Sequence, residues 1–109
     1  MPRDAGLPPG TLALLILRLL AAQPLHGYAI AQRIHLLSQE ELSVEEGSLY
    51  PALQKLLLNG WVKAAWTTSE SGREVREYRL TPAGRKQLDA AVAEYQRTSR
   101  AIGLVLDGA

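Results

Sequence analysis

GSLYPALQKLLLNGWV, Gly47 to Val62, is the stretch that decides the fold. Its leucines Leu49, Leu53, Leu56 and Leu57 fall on one side of a helix, the spacing of an amphipathic element packed on a core. Pro51 stands near its start, where it lacks an N–H and crowds the carbonyl four residues back, that of Gly47. Two placements accommodate it. If the helix begins at Ser43, which with Glu46 has capping-box spacing, Pro51 is interior and Gly47 eases the bend. If it begins near Ser48, Pro51 lies in the first turn and costs little. Either way the proline shapes the front turn. A step of about 100° per residue turns Ser48, Pro51, Gln54 and Lys55 away from the leucines, with Tyr50 at the border. Asn59-Gly60 ends the helix.

Upstream, Tyr28 to Ser38 reads as a helix with Ile30, Ile34 and Leu37 inward. Gln23 to Gly27 connects it to a first helix, Thr11 to Ala22. That helix is apolar nearly all round (Leu12, Leu14, Leu15, Ile16, Leu17, Leu19, Leu20), so it needs burial on every side. A chain of 109 residues has little with which to surround it, which points to a partner subunit. Residues 1–10 read as a flexible N-terminal arm. Two helices in quick succession, the second amphipathic, make a helix-turn-helix candidate.

Downstream, Trp61, Val62, Ala64 and Trp66 lie in an extended run. After the TSESGRE turn, Arg76, Tyr78 and Leu80 alternate with Val75, Glu77 and Arg79, the pattern of a hairpin. Trp61 and Trp66 read as core and sheet residues. Thr81 then serves as N-cap and Pro82 as first residue of a last helix reaching about Leu106. Its stripe of Leu88, Val92, Tyr95, Ser99, Ile102 and Leu106 is coiled-coil-like. The expected class is mainly α with a small β-hairpin: a winged helix-turn-helix over residues 11–81 and a C-terminal dimerisation helix over 82–109.

Composition narrows the chemistry. A single domain of this length buries roughly 60–70% of its unfolded surface. No cysteine excludes disulfides and thiolate metal sites, and suits a reducing cytoplasm. His26 and His35 have no partner at ligand spacing, so no metal or other cofactor is expected. His26 belongs to the turn before helix 2. The apolar run TLALLILRLLAA is broken by Arg18 and too short to span a bilayer, and Asp4 spoils the basic flank of a signal peptide. No nucleophile-plus-base motif, phosphate-binding glycine loop or convincing carboxylate pair is present, and the chain does not read as an enzyme.

Taken together, HGYAIAQRI, GSLYPALQKLLLNGWV, Trp66 and GREVREYRLTPAGR resemble the PadR-type transcriptional regulators, in order, from roughly Thr11 to Leu88. The short C-terminal part resembles the small members, which have a single C-terminal helix. The resemblance implies a homodimeric winged-helix repressor of a pseudo-palindromic operator, dimerised through its first and last helices. Some of the family release DNA when phenolic or drug-like compounds bind. Small members that bind drugs between subunits use a tryptophan on the last helix, and none occurs here after Trp66.

The expected DNA contacts are Ser48, Tyr50, Pro51, Gln54 and Lys55 on the helix that carries Pro51, Arg73 and Arg76 on the wing, and Tyr28 at the backbone. Glutamine pairs with adenine, lysine reaches guanine or phosphate, and hydroxyls suit phosphate oxygens. Leu12, Ile16, Leu19, Leu88, Val92, Tyr95, Ile102 and Leu106 are expected at the dimer contact. A small aromatic effector would meet Tyr95, with Leu12, Leu15 and Val92 as walls. The wing is less basic than the family pattern, which carries a second positive residue near Val75 and an aromatic or basic one at Glu77. From Ser43 to Arg79 five acidic residues balance five basic ones, so few phosphate contacts and a shallow salt dependence are expected. The alternative is a winged-helix module for protein–protein contact whose DNA face has relaxed.

Overall fold

The computed structural model describes residues 7, 8 and 10–109; the expected N-terminal arm otherwise lies outside the described residues. Four helices and a small sheet follow in the order α1 (Thr11–Ala22), β1 (Leu25–His26), α2 (Gly27–Leu37), α3 (Glu46–Leu58), β2 (Val62–Thr68), β3 (Glu74–Leu80) and α4 (Pro82–Gly108). The strands pair antiparallel in the order β1-β3-β2. The hairpin is therefore part of a three-stranded sheet. The expected connector contains β1, whose Leu25 and His26 pair with Tyr78 and Glu77. His26 also caps α2, its Nδ1 accepting from the Ala29 N–H at 3.3 Å.

The core joins Ile16, Leu17 and Leu20 of α1 to Ile30 and Ile34 of α2, Leu49, Leu53 and Leu56 of α3, Val62 and Tyr78 of the sheet, and Leu88 of α4. Burying each of the larger aliphatic side chains stabilises the fold by roughly 1.5–3 kcal/mol. Leu37, expected inward, is 69% exposed, because the last turn of α2 runs past the core. Ile16 and Leu88, expected at a subunit contact, are fully used inside the chain at 0% and 3% exposure.

α3 begins between the two placements open in the sequence. Its N-cap is Glu45, which makes no side-chain cap, and Pro51 lies inside the helix in its second turn. The Ser43–Glu46 capping box does not form, because Glu46 is already the first helical residue and Ser43 Oγ turns to His35 Nδ1 at 3.3 Å. The helix runs unbroken through Pro51. A proline nitrogen has no hydrogen to give, so the Gly47 carbonyl lacks its intrahelical donor, on an exposed turn where solvent reaches it.

The joint between wing and α4 turns on Thr81. Its hydroxyl donates to the Gly60 carbonyl at 2.7 Å and accepts from the Gly84 N–H at 3.0 Å. One side chain thus satisfies the end of α3 and the start of α4. Thr81→Ala is expected to cost about 1–2 kcal/mol, read as a lower urea midpoint at unchanged slope.

Candidate nucleic-acid interface

α3 presents two faces. Leu49, Leu53 and Leu56 are buried at 1% exposure each. Ser48, Pro51, Gln54 and Lys55 are all exposed on the other side, as their spacing requires. Tyr50 lies between, 44% exposed. Its ring rests over the first residue of α2: a Cβ added at Gly27 would lie 2.8 Å from the Tyr50 hydroxyl. Burial raises the Tyr50 pKa above its ordinary value of 10.0, and Glu46 and Tyr78 add to the effect. The hydroxyl therefore keeps its proton at neutral pH and can donate to an anion. Tyr28, one residue beyond Gly27, is 68% exposed at the same end of α2.

The turn between α2 and α3 sets how α3 is presented. Gln39 and Glu40 both take left-handed backbone, φ 56° and 68°. His35, which the sequence left without a role, ties this turn. Its Nδ1 lies 2.9 Å from the Leu42 carbonyl and 3.3 Å from Ser43 Oγ. A carbonyl only accepts, so Nδ1 carries the hydrogen. Ser38 Oγ donates to the His35 carbonyl at 3.1 Å and accepts from the Leu42 N–H at 3.0 Å.

The wing has a register that sorts its charges. Val62, Ala64 and Trp66 of β2 stand opposite Leu80, Tyr78 and Arg76 of β3. Alternation puts these on one face and Lys63, Ala65, Glu77 and Arg79 on the other. Glu77 pairs with Arg79 at 3.0 Å on that second face. Arg76 is left on the core-side face, its guanidinium carbon 5.9 Å from the Tyr78 ring centroid. Arg73 sits at the tip, where Gly72 takes φ 84° and the Arg73 N–H meets Ser69 Oγ at 3.2 Å. Neither Arg73 nor Arg76 forms an ion pair among the described residues. Trp66, expected to pack, is 68% exposed, because the strand extends beyond the core that holds Val62.

Away from this surface, α1 and α4 enclose an open crevice of about 780 Å³, lined in part by Leu14, Leu17, Trp61, Ala91, Tyr95 and Ile102. Tyr95, expected at a crevice between subunits, lines this crevice within a single chain. Leu12, Leu15 and Val92 are half-buried against the core and are not among the residues that line the crevice. No helix among the described residues is long and apolar enough to cross a membrane.

A tri-helical core that leaves one face of α3 open beside a two-stranded wing defines a winged helix-turn-helix protein. A solved transcriptional regulator from Clostridium thermocellum superimposes with a TM-score of 0.79 at 30% identity, covering 86% of this chain and 91% of that one. A PadR family transcriptional regulator from Eggerthella lenta gives 0.77 at 27%, covering 92% and 85%. An uncharacterized protein of Lysinibacillus sphaericus is 28% identical over 99 residues, 91% of each chain. The model of the PadR-like transcriptional regulator family matches residues 16–90. The chain belongs to that family and is a transcriptional regulator by descent.

Proposed function

We propose that the chain is a homodimeric DNA-binding repressor of a pseudo-palindromic operator, acting in the cytoplasm. The observation that carries this reading is the exposed outer face of α3, with Ser48, Gln54 and Lys55, beside a wing whose Arg76 has no acidic partner among the described residues. α3 enters the major groove, where Gln54 and Lys55 reach base edges or phosphate. Ser48, Tyr50 and Tyr28 donate to phosphates, Pro51 fixes the shape of the front turn, and Arg73 and Arg76 follow the backbone.

Residues 11–81 form the DNA-binding part, and α4 is the dimerisation element. Tyr95, Ile102 and Leu106 are 54%, 53% and 73% exposed, a stripe that a second copy would cover. Leu12, Leu19 and Val92, half-buried already, complete the contact. The two α3 helices then lie about 34 Å apart, one turn of DNA. A small aromatic effector stacked on Tyr95 in the crevice would alter the subunit contact and release DNA.

The test is fluorescence anisotropy of labelled duplex from upstream of the chain's own gene, against unrelated DNA, with the oligomeric state measured by sedimentation. Three cations per protomer predict a salt slope near about −5 on a log–log plot. Arg76→Ala is expected to make it shallower by about 2, since each protomer then neutralises one phosphate fewer. A slope steeper than about −9, equivalent to ten phosphates, contradicts this set of cations. No binding at low salt would leave the protein-contact reading in its place.

A further inference from the structure

Trp66 is 68% exposed, and its indole N–H has no hydrogen-bond partner among the described residues. It stands directly opposite Arg76 in the sheet register. The Arg76 guanidinium carbon lies 5.9 Å from the Tyr78 ring centroid. Tyr78 in turn lies near enough to Tyr50 to raise its pKa. A continuous line therefore runs from Tyr50 on α3 through Tyr78 and Arg76 to Trp66. The pairing of Glu77 with Arg79 on the opposite face removes the nearest carboxylate from this line. Glu74 shares the face of Arg76 but lies two pairs farther out, opposite Thr68 at the tip.

An exposed indole presents an apolar ring and, at its edge, an N–H that is free to exchange its water for an acceptor. The neighbour of Trp66 in the register is an arginine without an ion-pair partner among the described residues, which suits an anionic occupant. We propose that Trp66 is a DNA-contacting residue: its Nε1–H donates to a backbone phosphate oxygen and its ring lies against the adjoining sugar, while Arg76 takes the neighbouring phosphate. Such contacts fix the register of the protein on the duplex and carry no sequence information of their own. The proposal rests on the DNA-binding reading above and adds the residue that seats the wing.

The experiment uses full-length protein and labelled duplex from upstream of its own gene at low salt, with two readouts. In the Trp61→Phe variant Trp66 is the sole tryptophan, since the chain has two. Its emission is expected to change on adding DNA and to become shielded from acrylamide. By anisotropy, Trp66→Ala is expected to weaken binding about tenfold or more, and Trp66→Phe nearly as much, because phenylalanine keeps the ring but not the donor. Circular dichroism and sedimentation establish that the variants are folded and of unchanged oligomeric state. DNA that binds while Trp66 emission and affinity stay constant overturns the proposal and leaves the repressor reading standing. Full affinity in Trp66→Phe with weakened binding in Trp66→Ala overturns the donor role. A change of oligomeric state in Trp66→Ala overturns the proposal by assigning the ring to a protein contact. No binding of the wild-type chain overturns both readings.

Discussion

Replacing Gly84 with alanine is expected to destabilise the protein by about 3 kcal/mol or more. The thermal midpoint should fall by on the order of 10–20 °C. Gly84 lies buried in the first turn of α4. A methyl group there would overlap the Trp61 carbonyl oxygen and lie 2.8 Å from Leu80 Cδ1. The obstacle is backbone, and that backbone is held: the Thr81 N–H donates to the same Trp61 carbonyl at 3.1 Å. Relief requires α4 to lift from the wing, which breaks this bond and the Thr81 cap. Thermal unfolding followed by circular dichroism checks the result. A midpoint within about 2 °C of the wild type would mean that α4 is seated differently.

Gly27→Ala should show the opposite profile. The three atoms nearest the added methyl group all belong to the far end of the Tyr50 side chain, with the hydroxyl at 2.8 Å and Cε1 at 3.0 Å. A side chain can swing away, so stability should change by less than about 1 kcal/mol. The displaced ring, however, moves on the face that meets DNA. Affinity for the upstream duplex is expected to fall about tenfold, the equivalent of one well-placed hydrogen bond. The two glycines thus separate folding from binding. A double-mutant cycle isolates the cause: Gly27→Ala made in a Tyr50→Ala background should weaken binding almost no further. An equal effect in both backgrounds would show that Gly27 acts without Tyr50.

What the sequence disclosed and what it withheld have physical reasons. The leucine stripe of α3 and the Thr81-Pro82 start of α4 rest on local periodicity and capping, and both stand in the structure. Two-fold alternation also put Trp66 on the core-side face of β2. It could not show that the strand outruns the core, because burial is decided by neighbours distant in sequence. β1 was missed for a related reason. Two residues carry no period, and the strand exists only through its pairing with β3. The seat of Tyr50 over Gly27 and the His35 tie across the turn are likewise tertiary facts. A stripe at helical spacing marks apolar positions without saying what covers them, which is why Ile16 and Leu88 read as partner contacts yet fill the chain's own core. The site's outer face on α3 was legible because a helix with one face buried leaves the other open.

The short strand β1 has a consequence for how the chain comes into being. Its pairing joins Leu25 to Tyr78 across about half the length of the sequence. The helices before β3 can form from local contacts within microseconds, but this closure must wait for distant chain and carries its loop entropy. On the ribosome, α1, α2 and α3 emerge with the sheet side of their core uncovered until β3 has been made. Leu25, Val62 and Tyr78 then close it in a single event. The barrier to folding is expected at that closure, so a substitution that weakens the β1–β3 pairing should slow refolding in stopped-flow measurements more than it speeds unfolding.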